Sequence, residues 1–140
     1  MNKMKKTPLK KKKTTSIAKL KDKCWSLYSE WRRRSLADKN GYLVCVTCGK
    51  KAHWKEMQGG HFIQGRYNSI LFIDDNVHPQ CVGCNIFKHG ALIEYYDYMI
   101  KTYGQKRIDE LKQLKNKIVK FTVEYLQDFM EELKNRIEKL

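Results

Sequence analysis

Apolar residues recur at helical spacing towards both ends of the chain and at shorter, less regular intervals between them. Ile17, Leu20, Cys24, Leu27, Tyr28 and Trp31 share one helical face, which predicts a helix over residues 17–36. Arg32, Arg33 and Arg34 close it, where positive charge suits the carbonyl end of the helix dipole. Lys39-Asn40-Gly41 then signals a turn. Residues 42–47 read as a strand running into Cys45, 49–60 as a polar, turn-rich stretch, and 60–63 and 70–73 as short strands. Leu92, Tyr95, Tyr96, Met99, Ile100 and Tyr103 predict a helix over 91–103, which Gly104 ends. Further helices are expected over 105–116 and 122–140, the last with Leu126, Phe129, Met130, Leu133, Ile137 and Leu140 on one stripe. These stripes read as core, and the whole as an α+β chain.

The charge changes the picture at the N-terminus. Lys and Arg number 29 against 15 Asp and Glu, a formal net charge of +14 over 140 residues. Such an excess favours a polyanionic partner, of which nucleic acid is the commonest. Lys10, Lys11, Lys12 and Lys13 form an unbroken run in a tail (1–16) with almost no apolar residues. That tail is expected to be disordered alone, and either to lie along phosphates or simply to be solvated. It lacks the apolar run of a signal peptide, and no stretch reaches the ~20 apolar residues of a membrane helix. A cytoplasmic location with reduced cysteines is therefore expected.

Five cysteines then read as metal ligands plus one spare. Cys45-Val46-Thr47-Cys48 and Cys81-Val82-Gly83-Cys84 each aim two thiolates at one point across a tight turn. Two such knuckles complete a closed tetrahedral Zn²⁺ site, structural because four thiolates leave no open position. Gly49 and Gly83 supply the freedom such turns use. Cys24, on the apolar face of the first helix, reads as a core thiol. Any hydrolytic chemistry must come from a second site.

Gly59-Gly60-His61-Phe62 lies between the knuckles, with Asp74-Asp75-Asn76-Val77-His78 further on, and Asn85 directly follows the second knuckle. Single-metal cleavage of a phosphodiester needs a base for water, an ion on the phosphate and stabilisation of the departing oxygen. A neutral His suits the first role near pH 7, and an Asn carbonyl is a suitable hard ligand for Mg²⁺. Asn85 could instead cap a following helix.

The order Cys-x-x-Cys, His, Asn, Cys-x-x-Cys-Asn, with Lys88 three residues on, resembles the HNH (ββα-metal) nucleases over residues 45–88. The resemblance implies a hairpin presenting His61 as general base, Asn76 as a hairpin brace, and Asn85 as a ligand of a catalytic Mg²⁺ or Mn²⁺. A closer resemblance is to the NinG family of lambda-like phage recombination proteins. It rests on Cys45-x-x-Cys48, Gly60-His61-Phe62, Leu71-Phe72-Ile73-Asp74, the run from Asn76 to Asn85, Gly90 and Glu94-Tyr95. That family is associated with cleavage of branched recombination intermediates. One departure stands out: many HNH enzymes carry a metal-binding Asp just before the base, and here that position is Gly60. His78, Asp74 and Asp75 are candidates to complete the metal site, and His78 is favoured because it lies three residues before Cys81.

The expectation is a zinc-stabilised ββα-metal core (41–104) between a basic N-terminal helix (17–40) and C-terminal helices (105–140). Its expected function is cleavage of branched, Holliday junction-like DNA. Lys10–Lys13, Arg32, Arg33, Arg34, Arg66 and Lys88 are the expected phosphate contacts. A homodimer is a candidate assembly, with the 122–140 helix as one surface for it and burial in the protein's own core as the other use of that stripe. The competing readings are a non-catalytic zinc module that binds DNA as a recombination accessory, and an HNH restriction-type nuclease with base-edge contacts.

Overall fold

The computed structural model describes residues 16–140; the lysine run at 10–13 lies outside them. Helix α1 (Ile17–Leu36) starts at Ser16, whose hydroxyl accepts from the Lys19 N–H at 3.2 Å, a standard N-cap. Leu20, Cys24 and Tyr28, four residues apart on one face, are fully buried. The 38–42 turn follows, in which the Asp38 carboxylate accepts from the Asn40 and Tyr42 N–H groups. Strand β1 (Tyr42–Val44) pairs antiparallel with β2 (Lys51–His53), and the first cysteine knuckle is their connection.

Strand β3 (Met57–His61) pairs antiparallel with β4 (Val77–Cys81) in a separate two-stranded sheet. Its register sets Met57 opposite Cys81, Gln58 opposite Gln80, Gly60 opposite His78 and His61 opposite Val77. Side chains alternate between faces along a strand. One face carries His61 and Gly59 and lies on α1; a Cβ at Gly59 would meet Ser29 Oγ at 2.8 Å. The other carries Gln58, Gly60, His78 and Gln80, and faces α2 (Leu92–Tyr103). Gly104 ends α2 at φ +82°, donating to the Met99 and Ile100 carbonyls, and α3 (Gln105–Lys115) follows. Helix α4 (Val123–Glu138) packs along α1 through Leu126 and Leu133, both fully buried. Each such leucine contributes about 1.5–3 kcal/mol. Of the stripe expected as a candidate dimer surface, Leu126 and Leu133 lie in the protein's own core, Phe129, Met130 and Ile137 are half-buried and Leu140 is exposed. No helix among the described residues is long and apolar enough to cross a membrane.

Several expected elements differ. The strand expected over 42–47 stops at Val44, because Cys45 turns into the knuckle. The stretch 49–60, expected as turn, holds β2 and most of β3. The strand expected at 60–63 is β3 set three residues earlier. No strand forms at 70–73: Ile70 and Leu71 are fully buried in an irregular loop, plugging the core without pairing.

Candidate functional site

The knuckles converge. The four thiol sulfurs of Cys45, Cys48, Cys81 and Cys84 lie within 4.8 Å of one another. Cys48 and Cys81 Sγ are 3.7 Å apart, close to the ~3.8 Å edge of a ZnS₄ tetrahedron with ~2.3 Å bonds. Gly49, at φ +79°, donates its N–H to the Cys45 carbonyl and closes the first turn. In the second, the Cys84 N–H points at Cys81 Sγ at 3.4 Å. Thr47 Oγ1 lies 3.3 Å from Cys45 Sγ, a contact suited to a thiolate acceptor. These four residues could hold a zinc ion. Cys24 is separate: its thiol donates to the Leu126 carbonyl at 3.2 Å, joining α1 to α4.

His61 closes β3 with its ring stacked on Trp25, centroids 4.5 Å apart. Its Nε2 lies 3.2 Å from the Leu71 carbonyl. A carbonyl only accepts, so Nε2 carries the proton and Nδ1 keeps its lone pair. Burial is the main force lowering the His61 pKa below the usual imidazole value; the Arg66 charge adds to it, and the Leu71 carbonyl opposes it. The ring is neutral at pH 7. Leu71 is positioned by Asn76, which is fully buried. Asn76 Nδ2 donates to the Ile63 and Ile70 carbonyls, and its Oδ1 accepts from the Ile63 N–H at 2.8 Å. Asn76 therefore ties both ends of the 62–76 loop and carries no free group for chemistry.

Asn85 lies in a single wide turn (Gly83–Phe87), so the expected helix after the second knuckle is one turn long. Left-handed His89 and Ala91 separate it from α2, and Asn85 caps no helix. Its Nδ2 donates to Gln58 Oε1 at 2.8 Å. Strand alternation sets His61 on the α1 face and Gln58, with Asn85 bonded to it, on the opposite face.

His78, expected to complete a metal site, does not. Both its nitrogens are engaged deep in the core, Nδ1 with Tyr95 Oη at 2.8 Å and Nε2 with Tyr103 Oη at 2.7 Å. Tyr95 in turn donates to the Gly60 carbonyl at 2.8 Å. Direction follows from that end: Nδ1–H donates to Tyr95, and Nε2 accepts from Tyr103. Burial, helped by the Arg32 charge and opposed by Asp75, lowers its pKa to about 4. Asp74 and Asp75 are also engaged elsewhere, with Tyr28 at 2.7 Å and Arg107 at 2.8 Å.

A hard divalent cation wants oxygen donors. Apart from the cysteines, the described residues contain no cluster of three His, Cys, Asp or Glu side chains. What stands beside Asn85 is amide oxygen: Gln58, and Gln80 opposite it. Gln80 Oε1 is buried with no hydrogen-bond partner, and a Cβ at Gly60 would sit 1.8 Å from it. The donor chemistry fits Mg²⁺ or Mn²⁺ in kind. Sequence reasoning missed both glutamines, because an amide carries no spacing signal.

Of the arginines expected on DNA, Arg32 and Arg33 spend their guanidinium groups on backbone carbonyls of the fold. Arg32 donates to the Val77 and Asp74 carbonyls, and Arg33 to those of Ser29, Trp54 and Met57. Arg34 pairs with Glu30 at 3.2 Å. Arg32 and Arg33 tie the hairpin to α1 through the Val77 and Met57 carbonyls at the starts of β4 and β3. Arg66 is exposed, pairs with Asp22 at 3.1 Å and stands over the Trp25 ring that carries His61. Lys21, absent from the expected set, donates to the Arg66 carbonyl. Lys88 is exposed three residues beyond Asn85.

A family model described as Bacteriophage Lambda NinG protein matches residues 1–140. The chain is 30% identical over 101 residues to protein ninG of Escherichia phage lambda, covering 70% of the chain and 48% of that relative. It is 33% identical over 78 residues to protein ninG of Escherichia phage 933W, covering 54% of the chain and 37% of the relative. For protein ninG of Salmonella phage P22 the identity is 33% over 73 residues, covering 50% and 34%. The match spans about half or less of these relatives' own length. No solved structure matches the chain.

Proposed function

The chain belongs to the NinG family, and from that premise we propose that it is a metal-dependent DNA endonuclease of the HNH (ββα-metal) type, cutting branched recombination intermediates. One observation carries the proposal. His61 has Nε2 tied to the Leu71 carbonyl, so its unprotonated Nδ1 is held ready to take a proton from water. A core histidine with two satisfied nitrogens, such as His78, offers no such group.

In this reading Trp25 and Leu71 hold the imidazole, and burial keeps it neutral at pH 7. Asn76 holds the 62–76 loop that carries Leu71. Asn85 would hold the catalytic Mg²⁺ or Mn²⁺ through Oδ1, and the bound ion supplies positive charge at the phosphate and the departing oxygen. His61 and Asn85 stand on opposite faces of the hairpin, so the scissile phosphate would have to reach both round the His61 end of β3. The cysteine site is structural zinc. Lys21, Arg66 and Lys88 would meet backbone phosphates, which makes binding salt-sensitive and tolerant of sequence. Preference for branched DNA rests on the recombination association of the family, as does a place in the phage-infected bacterial cytoplasm. A homodimer would supply the two cuts a four-way junction needs.

The test is cleavage of four-way junction, flap and linear duplex DNA with Mg²⁺ or Mn²⁺, for the native protein and His61→Ala. The reading expects the junction to be cut and His61→Ala to lose a factor of about 10²–10⁴. Equal rates for the two proteins would remove His61 as the base. The second reading is a non-catalytic zinc module that grips DNA, favoured by the separation of His61 and Asn85 on opposite faces. It expects metal-independent binding and no nicking of any substrate. One dominant cut on linear duplex would instead indicate a sequence-reading restriction-type enzyme.

A further inference from the structure

We propose that the catalytic cation site is built from three uncharged amides, Gln58, Gln80 and Asn85, and therefore takes its ion together with a DNA phosphate and hardly at all without one. This rests on the nuclease reading above and specifies its metal site.

The register supplies the first part. Gln58 and Gln80 are directly opposed in the β3–β4 pair, so their side chains leave the same face. Asn85 joins them through its Nδ2 bond to Gln58 Oε1 at 2.8 Å, a contact that leaves Asn85 Oδ1 unused. Gln80 supplies the second part. Its Nε2 donates to the Gly90 carbonyl at 2.9 Å and reaches Thr47 Oγ1 at 3.2 Å. A carbonyl can only accept, so the amide cannot be turned round, and Oε1 is held on the side of Gly60. Among the described residues it is the single buried side-chain nitrogen or oxygen with no partner. Fully buried polar groups are nearly always paired, and a bound ion is one of the few things that account for an orphan.

Gly60 explains how the oxygen gets there. A Cβ at that position would stand 1.8 Å from Gln80 Oε1 and 2.6 Å from its Cδ. A side chain at 60 and the present Gln80 rotamer exclude each other. The oxygen of Gln80 thus occupies the root of the place from which a residue-60 carboxylate would project. Glycine is needed here for close approach, not for an unusual φ.

Charge supplies the consequence. Mg²⁺ sites on proteins commonly use one or two carboxylates together with substrate phosphates. Here the hydrogen-bond partners of Gln58, Gln80 and Asn85 include no carboxylate among the described residues. Three neutral oxygens bring dipoles and no countercharge, so the phosphate must bring it. Cation and DNA then strengthen each other's binding by the same factor, as linkage requires.

The experiment is Mn²⁺ titration by EPR on zinc-loaded full-length protein, with and without four-way junction DNA, each compared with DNA alone. The native protein, Gln80→Met and Gln58→Asp are titrated, with zinc content and thermal melting as controls of folding. The native protein is expected to bind Mn²⁺ at least tenfold more tightly with DNA than without it. Gln80→Met is expected to lose that gain while keeping its zinc. Gln58→Asp, a change at a half-exposed position, is expected to bind Mn²⁺ without DNA at least tenfold more tightly than the native protein. If Gln80→Met fails to fold, the Gln58→Asp arm decides alone. Native protein that binds Mn²⁺ equally with and without DNA would overturn the proposal, as would a Gln58→Asp protein indistinguishable from native. Cleavage by the same preparations separates the two levels. His61-dependent cutting without the amide-dependent Mn²⁺ pattern sinks the amide site alone; the Mn²⁺ pattern without cutting sinks the nuclease reading alone.

Discussion

His61 and His78 occupy adjacent rungs of one hairpin, opposite Val77 and Gly60, yet their surroundings give them different capacities. His78 is a donor at one nitrogen and an acceptor at the other, inside a tyrosine pair. It braces the Gly60 peptide through Tyr95, immediately before His61. A depressed imidazole pKa has a definite sign in stability. Below about pH 6.5 the unfolded chain takes up a proton that folded His78, with a pKa of about 4, refuses. Stability is therefore full above pH 6.5 and falls as the pH drops towards 4, by about 2 kcal/mol from this residue at pH 5. His61 is shifted in the same direction and acts in the same sense. Denaturant melts at pH 7 and pH 5 check this against His78→Gln, which should lose less stability over that interval; an identical loss would show that His78 is not the titrating group. None of this was legible from one histidine placed three residues before a cysteine. That spacing suggested proximity to metal, whereas strand alternation turns the ring to the α2 face and into the tyrosines.

The elements divide by whether their signal is local. Helices α1, α2 and α4 carry their own apolar stripes and lie within one or two residues of the expected bounds, apart from frayed ends. The knuckles are equally local: two thiols across one turn. Strands β2 and β3 are not, since Lys51–His53 and Met57–His61 contain few strand formers and are held by their partners. The run 70–73 erred the other way, because a short apolar segment looks the same in sequence whether it pairs or merely plugs a core. The inward-facing Arg32 and Arg33 were illegible for a similar reason: their acceptors are carbonyls more than twenty residues away. The zinc knuckles should be the staple for these weak strands, because Cys45, Cys81 and Cys84 sit in one apolar cluster with Leu43, Ala52 and Met57. Cys84→Ser is expected to lose its equivalent of zinc and melt several degrees lower, while Cys24→Ser keeps its zinc. Metal analysis checks both, and full zinc in Cys84→Ser would refute a four-cysteine site.

At the scale of the molecule, α1 is the common support. It carries Trp25 under His61, Arg32 and Arg33 across the hairpin carbonyls, and the buried face that receives α4. The net charge of +14 suits the proposed DNA partner, but among the described residues Arg32 and Arg33 are engaged with backbone carbonyls of the fold. Arg66 and Lys88 are exposed, and in the proposed reading they meet phosphates near His61 and Asn85. Cleavage as proposed requires a phosphate to reach both faces of one narrow hairpin. Anomalous diffraction from the zinc-loaded protein, crystallised with Mn²⁺ and a junction bearing a non-cleavable phosphate, measures it directly. The account predicts zinc among the four cysteines, a Mn²⁺ ion at Asn85 bridged to a phosphate, and His61 Nδ1 one water away from the same phosphorus. A single ion at the cysteines, with the phosphate on one face and His61 turned from it, would contradict it.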